Sequence, residues 1–255
     1  MDIKVYEYTI PYIKTKTVLD IACGYGHGAY LMSQYAKSVT GIDIDKGCIK
    51  YARTRYSREN LQFKVMDIYE IPMNFLGKKI EVITAVEIIE HLQEYHRLLS
   101  LIYDLLKDNG ILIISTPNRI WRGVNGSPWN PEHMQEFDVE SFKEILSKEF
   151  EVVRILGITG SEKAKKYQAI RTGRKIPSSL KKLWRYTPET LKSVVRKYIT
   201  TRLPENLTLH DYFITEEINS DCFTLIGICR KTHKPEINKG PHDMTENNSY
   251  KRHRS

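Results

Sequence analysis

Short apolar runs rich in β-branched residues alternate along this chain with stretches whose apolar positions return every three or four residues. The first pattern marks strands buried on both faces and the second marks amphipathic helices. Strands are predicted over Thr17–Ala22, Val39–Asp43, Leu61–Met66, Ile80–Val86, Ile111–Ser115 and Glu151–Leu156, with a last one over Cys222–Cys229. Helices are predicted near Ala29–Ala36, Lys46–Tyr56, Tyr95–Leu106 and Val139–Ser147. Asp108-Asn109-Gly110 stops the third helix and turns the chain. Strands alternating with helices are the mark of βαβ units, so the expected class is α/β with a largely parallel, doubly wound sheet.

Composition narrows this only a little. A chain of 255 residues is long enough to bury a substantial core. Its four cysteines are scattered without a CxxC pair, which argues against a zinc knuckle or a disulfide framework and for a reducing, cytoplasmic setting. No apolar run reaches membrane-spanning length, so the expectation is a soluble or peripheral protein. Charge is more informative. The net +8 conceals a segment from Ser161 to Arg202 carrying +11, a tail from Arg230 carrying +4, and a remainder of −7. An acidic body bears a strongly basic insertion.

Candidate chemistry begins where the first strand ends. Val18-Leu19-Asp20-Ile21-Ala22-Cys23-Gly24-Tyr25-Gly26-His27-Gly28 is an apolar run closing in an acid, then alternating glycines, then a helical pattern. Such a turn bares backbone N–H groups and lets a ligand approach without meeting a Cβ. Two nucleoside cofactors fit. Gly24-x-Gly26-x-x-Ala29 with Asp43 further on matches a dinucleotide fingerprint. Asp20 before the loop, a third glycine at 28, and Met66-Asp67 closing the third strand favour a cofactor with an amino-acid moiety and an adenine ring.

Asp20-x-Ala22-Cys23-Gly24-x-Gly26-x-Gly28, Gly41-Ile42-Asp43-Ile44, Asp67 and Val86-Glu87-Ile88-Ile89-Glu90-His91-Leu92 together resemble the class I S-adenosylmethionine-dependent methyltransferases. Among these, the ubiquinone-biosynthesis-like O-methyltransferases and their glycan- and lipid-modifying relatives are most similar. The resemblance implies a seven-stranded Rossmann-like sheet ordered 3-2-1-4-5-7-6, with strand 7 antiparallel. It implies that Gly24, Gly26 and Gly28 line the methionine moiety with Asp20 and Glu87 nearby. Asp43 and Ile44 would then bind the ribose side, and Met66 and Asp67 the adenine edge. The methyltransferase domain would span 1–160 and 203–230, with a basic insertion at 161–202 and a disordered basic tail at 231–255.

A second constellation follows strand 4. Glu87, Glu90 and His91 stand at i, i+3 and i+4, one face of a helix if the segment is helical. His133, in the loop after strand 5, belongs to the same end of a doubly wound sheet. Two carboxylates and two imidazoles can hold a divalent cation, with Mg²⁺, Mn²⁺ or Fe²⁺ suiting the mixed donors. Without a metal, His91 or His133 is the expected general base. The basic insertion predicts two short helices within 177–202, the second opening at Thr187-Pro188. A basic amphipathic helix can contact an anionic membrane face, grip phosphates or cover the site as a lid. The expected activity is methyl transfer to the oxygen of an anionic lipid-linked, glycan or small-molecule acceptor. Alternatives are an RNA 3′-terminal ribose 2′-O-methyltransferase and a non-catalytic binding protein of the same fold.

Overall fold

The computed structural model describes residues 2–72, 75, 80–122, 130, 132–171, 187–188 and 207–232. Apart from Thr187 and Pro188, the two helices expected within 177–202 therefore lie outside the described residues, as does the tail beyond Thr232. In chain order the elements are α1 (Asp2–Ile13), β1 (Thr17–Ile21), α2 (His27–Ser33), β2 (Ser38–Asp43), α3 (Lys46–Arg55), β3 (Leu61–Val65), β4 (Ile80–Val86), α4 (Tyr95–Leu105), β5 (Leu106–Pro117), α5 (Arg119–Arg122), α6 (Val139–Ser147), β6 (Glu151–Gly160), α7 (Glu162–Arg171), β7 (Tyr212–Thr215) and β8 (Thr224–Arg230).

The strands form one sheet of order β3-β2-β1-β4-β5-β8-β6-β7. From β3 through β5 the pairing is parallel, and β8 runs antiparallel between β5 and β6. The expected order is thus present with one correction: among the described residues the sheet has eight strands, not seven. The extra strand is β7, a short edge strand paired antiparallel to β6. Successive residues of the central strands serve opposite cores. Val18, Val82 and Ile113 face one apolar cluster with Tyr6 of α1, Met32 of α2 and Ile49 of α3. Leu19, Ile83 and Ile114 face another with Leu98, Ile102 and Leu105 of α4 and Phe142 of α6. Each such side chain, fully buried, contributes roughly 2 kcal/mol.

Caps fix the helix starts. Asp45 accepts from the Gly47 and Cys48 N–H groups at the head of α3, and Asp138 makes a capping box with Ser141 at the head of α6. The helix stop and turn expected at Asp108-Asn109-Gly110 lie instead inside β5 as an irregularity, α4 having ended at Leu105. Leu106 pairs with Ile80 and Ile111 with Val82, and Asn109 takes up the excess chain at φ +60°. Lys231, placed by sequence at the start of the tail, is buried instead, its Nζ donating to the carbonyls of Tyr103 and Leu106.

Candidate active site

The glycine loop joins β1 to α2 at the carboxyl edge of the sheet, where ligands settle in doubly wound folds. Ala22, Gly24 and Gly26 all have positive φ, +55°, +52° and +81°. The three glycines do different work. A Cβ at Gly24 would meet nothing within 4 Å, so this backbone is open to a ligand. At Gly26 it would lie 2.7 Å from the Phe63 ring and 2.8 Å from Ala52, and at Gly28 only 2.1 Å from the Tyr6 ring. Gly26 and Gly28 are small so that neighbouring side chains can pack, a constraint separate from the expected lining of the methionine moiety.

Beside the loop, β2 ends in Asp43 and β3 is followed two residues on by Asp67. Asp43 accepts from the Gly24 N–H through Oδ2 and from the Asp45 N–H through Oδ1, both at 2.8 Å. One carboxylate thus sets the loop's orientation. Asp67 accepts from the Tyr69 N–H at 2.9 Å, and Met66 donates its N–H to the Asp43 carbonyl. Ile44, 68% exposed, follows Asp43 at the same edge. Gly24, Asp43, Ile44, Met66 and Asp67 are thereby gathered at the ends of three adjacent strands.

Asp20 is wholly enclosed beneath the loop. Its Oδ1 accepts from the Thr84 hydroxyl at 2.6 Å, and the Tyr6 hydroxyl donates to the carboxyl at 3.3 and 3.4 Å. Burial is the main cause that raises its pKa to about 7; the two hydroxyls oppose the rise and nearby Asp43 adds to it. Tyr6, fully buried, is likewise pushed well above its ordinary value. Tyr6 belongs to α1, a helix not among those expected from sequence. Its signal was present in the helical spacing of buried Val5, Tyr6, Thr9 and Ile13.

The second constellation is assembled otherwise than by one helix. Glu87 sits at φ +53°, which breaks any helical continuation from β4. A single 3₁₀ turn, Ile89–His91, follows. Glu87 is turned toward β5, where the Ser115 hydroxyl donates to its Oε1 at 3.1 Å. Among the described residues, Glu90, His91 and His133 converge with one ligand-type atom each, all within 4.8 Å of one another. Glu87 is not of that group. Glu90 is buried, accepts from the Thr116 hydroxyl at 3.1 Å, and its carbonyl accepts from the Met134 and Gln135 N–H groups. The Gln135 amide donates to the carbonyl of Leu92 at 2.6 Å, fastening the His133 loop to the turn. His91 Nδ1 lies 3.1 Å from the Glu132 carbonyl, and His133 Nδ1 lies 3.0 Å from Glu136 Oε1. One carboxylate and two imidazoles, each imidazole with its Nδ1 within hydrogen-bond distance of an oxygen, form a donor set that suits a divalent cation.

Comparison with known proteins agrees with this architecture. Residues 9–154 match the family model described as "Methyltransferase domain". A probable S-adenosylmethionine-dependent methyltransferase of Mycolicibacterium smegmatis is 31% identical over 145 residues, 56% of this chain and 55% of the relative. A ubiquinone biosynthesis O-methyltransferase of Glaesserella parasuis is 34% identical over 109 residues, 41% of this chain and 46% of the relative. The chain spans about half the length of the curated relatives it matches. Among solved structures, a putative methyltransferase from Bacillus halodurans superposes with a TM-score of 0.58 at 14% identity, covering 91% of this chain and 99% of that one, and so shares the fold. The match over more than half the chain, with the glycine loop and the acids that follow it in place, shows that this chain belongs to the methyltransferase-domain family, whose methyl donor is S-adenosylmethionine.

Proposed function

We propose that the domain transfers the methyl group of S-adenosylmethionine to a hydroxyl oxygen of an anionic lipid-linked or glycan-type acceptor. The observation that carries this reading is the convergence of Glu90, His91 and His133 at the ends of β4 and β5, next to the strand that bears the glycine loop. Sulfonium methyl transfer needs an in-line nucleophile more than covalent help. A hydroxyl is a poor nucleophile until its proton is taken, whereas an imidazole at the hydroxyl can take it as the oxygen–carbon bond forms and the carbon–sulfur bond breaks. His133 and His91 fill that role. A divalent ion held by Glu90, His91 and His133 would lower the pKa of a coordinated hydroxyl and so serve the same end. The ubiquinone biosynthesis O-methyltransferase of Glaesserella parasuis supports oxygen as the acceptor atom. The +11 charge between Ser161 and Arg202 supports an anionic acceptor and a peripheral contact with an anionic membrane face. Among the described residues, no helix is long and apolar enough to cross a membrane.

The test is transfer of labelled methyl from S-adenosylmethionine into lipid, glycan and RNA fractions, with His133→Ala and Glu90→Ala beside the native chain and EDTA in a parallel arm. Label in a base-stable ether of the lipid or glycan fraction, lost in both variants, supports the proposal. Label confined to RNA 3′ ends, or appearing on nitrogen, replaces it. Sensitivity to EDTA assigns the cluster to a metal, and insensitivity leaves the histidines as bases.

A further inference from the structure

The side chains of His133 and Glu136 are 4% and 2% exposed, with Nδ1 and Oε1 3.0 Å apart. A carboxylate has no proton to give, so a neutral ring here donates through Nδ1–H and keeps the Nε2 lone pair. His91 is set the same way by another device. Its Nδ1 lies 3.1 Å from the Glu132 main-chain carbonyl, which can only accept. The two rings meet edge to face with centroids 4.8 Å apart. An isolated neutral imidazole prefers the proton on Nε2, so each oxygen overrides the intrinsic tautomer. We propose that Glu136 is a positioning residue: it locks His133 in the Nδ1–H tautomer and leaves Nε2 as the atom that accepts a proton or binds a cation. The consequence for catalysis rests on the O-methylation reading above; the tautomer itself does not.

Gln135 supplies the rigidity this requires. Its side chain and N–H, with the Met134 N–H, tie the loop to the carbonyls of Leu92 and Glu90. The carboxylate that follows in sequence is therefore held against the ring rather than free to swing away. An unrestrained Glu would lose more side-chain entropy on making the same bond.

The test is two-dimensional NMR of the full chain carrying nitrogen-15 histidine, comparing native protein with Glu136→Met and Glu136→Gln. Methionine keeps the volume and removes the acceptor, and glutamine restores an acceptor oxygen. The native His133 spectrum is expected to show a protonated Nδ1 and a bare Nε2. E136M should lose that signature toward the Nε2–H form, and E136Q should recover most of it. A merely structural Glu136 would lower the melting temperature in E136M without moving the His133 nitrogen shifts. A native spectrum with protonated Nε2, or one unchanged in folded E136M, overturns the proposal; the native spectrum decides alone if E136M does not fold. Methyl transfer to any hydroxyl acceptor found in the screen should fall about 10- to 100-fold in E136M and return in E136Q. If no hydroxyl is methylated by native protein while the NMR result stands, the O-methylation reading fails and the positioning role survives.

Discussion

Asp20→Asn turns the enclosed carboxyl beneath the glycine loop into a measurable pH dependence. Burial lifts the Asp20 pKa from 3.8 to about 7, with Thr84 and Tyr6 hydroxyls on its oxygens and no exposure to solvent. Because the folded value lies above the unfolded one, the stabilisation is fully present below about pH 4 and is lost as pH rises through 7. Over that interval the unfolded chain releases a proton that the folded chain retains. At roughly 1.4 kcal/mol per pH decade, the loss amounts to about 4 kcal/mol. Asparagine keeps an oxygen for both hydroxyls and cannot titrate, so it adds an offset constant with pH. Urea unfolding of both proteins at several values from pH 5 to 8 isolates the difference, since every other group titrates alike in the two. The stability of native protein relative to D20N should fall by about 2 kcal/mol between pH 5 and 7 and level off by about pH 8. Curves that stay parallel across that range would refute the reasoning and show that Asp20 is ionised or solvated in the fold.

Further outcomes follow from the same site. Gly28→Ala drives a Cβ into the Tyr6 ring and lifts its hydroxyl from Asp20, so the urea midpoint should fall by an amount equal to about 2–4 kcal/mol; Tyr6→Leu in that background should restore part of it, and additive losses would disprove the contact. Asp43→Ala frees the Gly24 and Asp45 N–H groups from their common acceptor. Calorimetric affinity for S-adenosylhomocysteine should then drop on the order of 10- to 100-fold, and an unchanged affinity would remove Asp43 from the donor site. Thiol reactivity should be graded. All four thiols are pushed up, but Cys23, Cys222 and Cys229 are buried whereas Cys48 is partly exposed, so Cys48 should react first with Ellman's reagent and the others only on unfolding.

The parts of the fold legible from sequence were those in which one physical demand acts on a whole segment. Strands such as Ile80–Val86 are buried on both faces, and that requirement writes a mostly apolar run, interrupted here by Glu81 and Thr84. The glycine loop was legible because an open approach at Gly24 and tight packing at Gly26 and Gly28 each exclude a side chain. Its division of labour was not, since spacing does not say whether a ligand or Tyr6 fills the space. α1 was hidden because Val5, Tyr6, Tyr8, Thr9, Ile10 and Tyr12 are strand-favouring types and Pro11 reads as a breaker. Packing against α2 and the sheet overrides those preferences. β7 is four residues long at an edge, too short for a period to declare itself. In the second constellation the residue types were visible but the backbone was not. Helical spacing gave Glu87, Glu90 and His91 a common face, whereas the left-handed Glu87 turns its side chain to Ser115 and leaves His133 to complete the cluster.

The placement of β8 bears on how the chain is made. This strand is the last of the described elements in sequence, yet it lies inside the sheet, bonded to β5 on one side and β6 on the other. A ribosome delivers β1 through β6 well before it delivers Thr224–Arg230, so during synthesis β5 and β6 wait with open, strongly apolar edges. The sheet closes only when β8 threads between them, a long-range pairing that is slow to nucleate. Substitutions that weaken β8, such as a charge at Leu225 or Ile228, should therefore reduce the yield of soluble protein from cells more than their effect on the finished molecule would suggest. The nascent chain spends longest in the state they prolong.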